Sequence, residues 1–236
     1  MSLERSPALP RVTAVCVVHE LLPGPKDVGR TAIDKRPVAD GVEVGELGLA
    51  GDSVCDVENH GGAEQAVYVY ADEEADWWAE QLQRDIPPGL FGENLRTAGV
   101  AVSIAEIGER WRVGGPDGVL LQVTAPRIPC VTFADRMGEA HWVKRFGQGG
   151  RPGAYLAVLE PGRLTAGDAV EVTYRPGHGV AVADTFPWPD ADAAQRLLDA
   201  HADAASAFEL MPKMQRWALH QVATRAARAT GAARGA

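Results

Sequence analysis

The chain is short of cysteine and of long apolar runs, and it lacks the usual enzyme signatures. Its three cysteines, Cys16, Cys55 and Cys130, lie far apart and form no C-x-x-C pair. That excludes a disulfide framework and a zinc ribbon, and it suits a reducing cytoplasm. No stretch approaches the roughly 20 apolar residues of a membrane span. The one early apolar run, 12–22, is interrupted by His19 and Glu20 with no small-residue cleavage pattern behind it, so no leader is expected. There is no G-x-S-x-G elbow, no H-E-x-x-H, no G-x-x-x-x-G-K-[ST] and no G-x-G-x-x-G after a strand. These absences disfavour the common hydrolase, kinase and dinucleotide readings. Excess positive charge is also missing: the net charge of −9 argues against a nucleic-acid polymer as partner, because phosphate binding draws on clustered Lys and Arg. Acids in turn vanish after Glu209, where Lys213, Arg216, Arg225, Arg228 and Arg234 form a basic tail on an acidic body. Such a tail suits docking back on the body or meeting an acidic partner.

What is present is turn formers and short β-rich runs. Twenty-six glycines and 16 prolines in 236 residues imply many turns, and hence many short strands. Strands are predicted at 12–18, 42–47, 66–70, 154–159 and 169–174, with a hairpin of 110–113 and 119–123 around Gly114-Gly-Pro-Asp-Gly118. Residues 72–84 predict a helix, with Ala75, Trp78, Ala79 and Leu82 on one face and Asp72, Glu73 and Glu74 at its electropositive end. Its tryptophans read as core. A helical interruption follows Cys130 through Phe146, and the alanine-rich end predicts three helices, near 193–201, 204–211 and 213–228, with Pro212 opening the third. Strands this short and closely spaced predict a mainly β fold closed into a barrel, which would remove exposed edges. The predicted division is a β-barrel domain over 1–180 and a helical C-terminal domain over 181–236.

The polar residues collect in loops at strand ends. Asp52, Asp56, Glu58 and His60 would share one face of an extended segment, before Gly61 and Gly62 let backbone approach a neighbour or ligand. The most constrained stretch is Pro126-Arg-Ile-Pro-Cys130. Two prolines fix φ and remove backbone donors there, so the strand is expected to stop and a stiff turn to carry the cysteine. Arg127 would favour thiolate over thiol, and thiolate is both a nucleophile and a soft-metal ligand. Cys55, with no braced turn around it, reads as structural.

Five segments in this order, Lys35-Arg-Pro-Val38, Gly48-Leu-Ala-Gly-Asp52, His60-Gly-Gly62, Phe91-Gly-Glu-Asn-Leu95 and Pro126-Arg-Ile-Pro-Cys130, are followed by Gly153-Ala-Tyr-Leu and Pro161-Gly. Together they resemble the MOSC domain family (molybdenum cofactor sulfurase C-terminal domain), and most closely its stand-alone bacterial branch, the YiiM-like proteins. The resemblance covers about 33–175, and the tail resembles the three-helix domain that often follows. It implies a β barrel that binds molybdenum cofactor, with Cys130 as protein ligand to the metal, and reduction of N-hydroxylated bases such as hydroxylaminopurine. On that reading Lys35, Arg36 and Arg127 neutralise anionic charge, and Gly61, Gly62 and Gly92 lie against the pterin. Glu93 and Asn94 belong to the cofactor-binding set, Asn94 bonding the polar edge of the pterin, while Asp52 and His60 orient substrate or relay a proton. A separate electron donor is expected, since no flavin, haem or Fe–S motif is present. The alternative is a carrier of sulfur or cofactor, with Cys130 holding persulfide or delivering cofactor without turnover.

Overall fold

In the computed structural model all five residues of the strand Val67–Ala71 are buried, as only a strand covered on both faces can be. Their side chains alternate between two cores. Val67, Val69 and Ala71 join Val15, Leu95, Trp111, Val123 and Leu156 on one side. Tyr68 and Tyr70 join Trp78, Phe91, Phe133, Trp142 and Phe146 on the other. The structure describes residues 9–25, 29–55, 61–186, 190–203 and 208–234, with side chains to 228.

In chain order the strands are β1 (Arg11–Pro23), β2 (Arg30–Pro37), β3 (Val42–Gly45), β4 (Gly48–Leu49), β5 (Val67–Ala71), β6 (Leu95–Ala98), β7 (Arg110–Val113), β8 (Val119–Pro126), β9 (Ala154–Glu160), β10 (Gly162–Leu164) and β11 (Val170–Tyr174). The helices are α1 (Asp72–Leu82), α2 (Val131–Met137), α3 (Trp142–Gly149), α4 (Ala191–Ala202) and α5 (Pro212–Arg234). The large sheet runs β11-β7-β8-β9-β5-β6-β1-β2, and a small one runs β10-β3-β4. Among the described residues every hydrogen-bonded strand pair is antiparallel except β5 and β6, which are parallel because α1 forms the crossover between them. The predicted hairpin is present, with Arg110 opposite Gln122 and Val113 opposite Val119.

The predicted barrel is not formed. The large sheet is open, with β11 and β2 at its edges. Its reason lies in β1, which pairs through Arg11–Val15 with β6 and through Cys16–Pro23 with β2, with register shifts along both ladders. Towards β11 it makes only the isolated Arg11–Ala169 bridge, with Val12 N–H donating to Asp168 C=O at 2.8 Å and Gly167 N–H to Val12 C=O at 2.9 Å. The expected stop at Pro126 is corrected as well. β8 continues to Pro126, paired with Ala154 of β9. There β7 no longer flanks β8, so the missing proline N–H is not required.

α1 carries the predicted acidic first turn and ends two residues early, where Gln83 adopts the left-handed region at φ 51°. Glu74 is only 4% exposed; it accepts bonds from Ser103 N–H at 2.9 Å and Ser103 Oγ at 2.8 Å, and that hydroxyl accepts from Gly153 N–H at 3.1 Å. Burial pushes the Glu74 carboxyl up to about 7, against the bonds from Ser103 and the charge of Arg151.

Of the three helices predicted at the end of the chain, α4 and α5 are present, and Pro212 opens α5 as expected. Residues 204–207 of the middle one lie outside the described residues, and Phe208 to Met211 are not helical. Ala193, Leu197, Leu210 and Met214 pack into the same core as the sheet. No helix among the described residues is long and apolar enough to cross a membrane.

Candidate functional site

A cavity of about 420 Å³ opens where β2, the turn after β4, the loop before β6 and the exit from β8 converge. Lys35 reaches it from β2, where it is 9% exposed, and its ammonium bonds the Asp52 carboxylate. Asp52 is itself fixed from two other directions. Val18 N–H donates to Oδ1 at 3.0 Å, at the point where β1 shifts register, and Asn94 Nδ2 donates to Oδ2 at 2.7 Å. Burial pulls the Lys35 ammonium below the ordinary lysine range, with Asp52 opposing the shift and Arg127 adding to it.

Asn94 spends its amide on the protein. Besides Asp52, Nδ2 donates to Cys16 C=O at 3.3 Å, and Oδ1 accepts from Tyr68 N–H at 3.1 Å. Both donor hydrogens are therefore engaged. The residue ties β1 and β5 together and holds Asp52.

Cys130 is half-buried on the cavity wall, as the extended residue immediately before α2. The turn that carries it is fixed by Arg127, whose guanidinium lies 4.0 Å from the Phe133 ring centroid and 5.0 Å from that of Tyr68. Arg127 Nη1 also donates to Phe91 C=O. The loop that presents this carbonyl is anchored by the buried pair Glu93 and Arg96, with Glu93 Oε1 accepting from Gly89 N–H at 2.8 Å and Arg96 Nε at 2.9 Å. Gly89 needs its φ of +85°, and a Cβ there would fall 2.2 Å from the Lys35 carbonyl oxygen. Beyond the thiol, Arg136 of α2 bonds Asp34 of β2 at 2.6 Å and pins the helix to the sheet. A cation is thus held beside the thiol by packing on every side.

The residues singled out by sequence separate clearly. Lys35, Asp52, Asn94, Arg127 and Cys130 line this one cavity, as do Gly61, Gly62 and Gly92. Arg36, next to Lys35 on a strand, points the other way; its side chain is 57% exposed and pairs with Asp34 at 3.1 Å. Glu93 is fully buried with Arg96 and does not line the cavity. His60, Asp56 and Glu58 lie outside the described residues. Sequence reasoning missed Tyr68, Tyr155 and Arg30, which also line the cavity, and it read Cys55 as structural although that residue is exposed at the cavity wall. Tyrosines on strands predicted to be buried were the available signal, because a buried hydroxyl needs a partner; Tyr68 Oη donates to Pro152 C=O at 2.9 Å. Cys16 is the inert thiol, pushed up to about 12 by burial and the nearby Glu93.

Among the described residues no three His, Cys, Asp or Glu side chains converge as a metal cluster. The cavity offers two thiols, half-buried Cys130 and exposed Cys55, with two buried cations and one carboxylate, a donor set suited to a metal that arrives within its own anionic chelate.

Comparison with known proteins agrees with this geometry. The MOSC domain model matches residues 56–171. The uncharacterized protein YflK of Bacillus subtilis (strain 168) is 38% identical over 152 residues, 64% of this chain and 67% of that protein. YiiM of Escherichia coli (strain K12) is 31% identical over 192 residues, 78% of this chain and 84% of that protein. A protein named Reductase from Gibberella moniliformis (strain M3125 / FGSC 7600) is 36% identical over 125 residues, 50% of this chain but only 21% of that longer protein. The crystal structure of YiiM from Geobacillus stearothermophilus shares the fold, with a TM-score of 0.68 at 23% identity over 90% of this chain and 98% of that one. With the cysteine turn, the Asp52 loop and the Phe91 loop gathered at one cavity, the chain belongs to the MOSC domain family and is YiiM-like within it.

Proposed function

We propose that this protein is a molybdenum-cofactor-dependent oxidoreductase that reduces N-hydroxylated substrates, hydroxylaminopurine-type bases among them, to the amine. The observation that carries this reading is the single thiol on a braced turn, facing a cavity with two buried cations and no cluster able to hold a bare metal ion among the described residues. These residues fit the group: Cys130 would ligate the metal, and Arg127 and Lys35 would offset the negative charge of the chelate. Gly92 keeps the wall low: its φ is +76°, and a Cβ there would lie 3.0 Å from Ile33 Cγ1. The Reductase relative, matched over a small part of its length, supports an oxidoreductase reading.

The reaction breaks an N–O bond, consumes two electrons and two protons, and releases amine and water. When bound, the cofactor supplies the electrons. The chain's own residues supply the rest. Arg127 stabilises Cys130 as thiolate. Lys35 holds a proton at Nζ, made easier to release by burial and kept in place by Asp52. Asn94 positions Asp52. Residues 1–180 form the catalytic unit in this proposal, 181–236 an appended helical unit, and a separate protein restores the electrons.

The test is metal and pterin analysis of protein made in a cofactor-competent host. Wild type is expected to carry molybdenum and Cys130→Ala to lose it; a metal-free wild type, or a variant loaded equally, overturns the reading. A +32 Da adduct on Cys130, with no N-hydroxylamine reduction by loaded protein, would favour the carrier of sulfur or cofactor instead.

A further inference from the structure

The cavity changes character from floor to mouth. Lys35 and Arg127, on the floor, are 9% and 7% exposed, whereas Leu47 and Val54, which line the same cavity, are 75% and 41% exposed. A charged floor thus opens through an apolar rim. Leu47 owes its place to an anchored hairpin. β3 and β4 pair as far as Gly45 opposite Gly48, so Glu46 and Leu47 form a tight tip, and of these two only Leu47 lines the cavity. Val44 and Leu49 fix the hairpin in the core, and Gly48 lies flush on the chain entering β5, where a Cβ would fall 2.6 Å from the Ala66 carbonyl oxygen. Tips this short favour Asn, Asp and Gly. A leucine there serves neither the turn nor the core. Val54 is held as well, resting on the backbone of Gly61, where a Cβ would lie 3.3 Å from Val54 Cγ2. Apolar side chains kept exposed at the mouth of a cavity mark a ligand surface.

We propose that Leu47 is a specificity-determining residue: with Val54 it forms an apolar lip that takes the face of a flat heteroaromatic N-hydroxylated substrate and favours such rings over small polar N-hydroxy compounds. The inference rests on the proposed function above. The size of the cavity identifies the occupant of the lip. At about 420 Å³ it has the volume of one small-molecule site, so with the cofactor on the charged floor the substrate ring has only the mouth to rest in. The N–O group then points inward, towards Cys130 and Lys35, and the ring lies against Leu47 and Val54. A compound as small as hydroxylamine reaches the floor without touching the lip.

The test uses the molybdenum-loaded full chain, with dithionite-reduced methyl viologen as electron donor, and compares hydroxylaminopurine with hydroxylamine. Leu47→Ser removes the apolar contact at an exposed site, where substitution leaves folding largely unaffected, and Leu47→Met keeps the contact. The ratio of kcat/KM for hydroxylaminopurine to kcat/KM for hydroxylamine is expected to fall about tenfold in Leu47→Ser, the low end of what one apolar contact adds to discrimination, and to be retained in Leu47→Met. An unchanged ratio in Leu47→Ser overturns the lip. Calorimetry on the same proteins measures binding of adenine, the amine product, whose Kd is expected to rise about tenfold in Leu47→Ser. If loaded wild type reduces neither compound, the proposed function fails, and adenine binding still decides the lip: no saturable binding, or a Kd that Leu47→Ser leaves unchanged, overturns it. Light scattering tests the other occupant, since a wild-type dimer that Leu47→Ser converts to monomer with no change in the ratio makes Leu47 a contact between copies of this chain and overturns the lip.

Discussion

Glu74 gives the most quantitative test of the structure. Its carboxyl sits between α1 and the strand-end segment at Ser103, almost fully buried, with its ordinary value of 4.5 raised to about 7. A raised carboxyl binds its proton more tightly in the folded than in the unfolded chain. The stability it contributes is therefore complete below about 4.5 and is lost as pH rises through about 7. At about 1.4 kcal/mol per pH unit of displacement, the loss between pH 5 and pH 8 is roughly 2–3 kcal/mol. Glu74→Gln mimics the protonated form, since it still accepts from Ser103 N–H and offers a donor to Ser103 Oγ. Urea unfolding of both proteins at pH 5, 6, 7 and 8 should give free energies within about 1 kcal/mol of each other at pH 5, and a variant more stable by roughly 2–3 kcal/mol at pH 8. Other titrating groups cancel in the difference. A constant gap across the range, or a variant less stable at pH 8, would refute the reading of Glu74 as a carboxyl held protonated by burial.

Three further outcomes are expected. Iodoacetamide at pH 8 should label exposed Cys55 quickly in the native protein and leave Cys16 unlabelled until unfolding, because burial both shields that thiol and pushes it up to about 12; native-state labelling of Cys16, read by mass spectrometry, would contradict the core assignment. Gly89→Ala should lower the unfolding free energy by roughly 1–3 kcal/mol, since the backbone is left-handed there and the new methyl meets the Lys35 carbonyl; a neutral substitution would mean that the loop before β6 does not rest on β2. Arg96→Met should cost about 3–5 kcal/mol by stranding the Glu93 carboxylate in the core, and adding Glu93→Gln should recover a large part of that; two additive losses in urea unfolding would show that the pair is not coupled.

Much of this fold was legible because its periodicities are strong. The β-rich composition of β5, the β7–β8 hairpin and the apolar face of α1 required only local sequence, and each element is present. Closure was not legible, since it depends on how β1 divides its hydrogen bonds between β6 and β2, a long-range choice with no local trace. The same holds for Pro126, whose place in β8 depends on where β7 stops. Within the site, motif reasoning gathered Lys35, Asp52, Arg127 and Cys130 but could not separate Lys35 from Arg36, because strand register decides which neighbour turns inward. Glu93 shows the opposite limit. It sits inside a motif beside cavity residues, yet its partner is Arg96, three residues on, and its task is to hold the loop.

The way β1 is shared also bears on synthesis of the protein. Its β-branched first half leaves the ribosome early, but its partners, β6 at Leu95–Ala98 and the turn at Gly167 and Asp168, come far later in the chain. At ~5–20 residues per second the strand waits roughly 8–30 s for its last contacts. Until β6 emerges, roughly 4–16 s after β1 at the same rate, only β2 can cover it, and β2 pairs from Cys16 onward. The segment Arg11–Val15 is thus the point at which a nascent chain is most open to strand-to-strand aggregation, and where a chaperone that binds extended apolar segments would find its target.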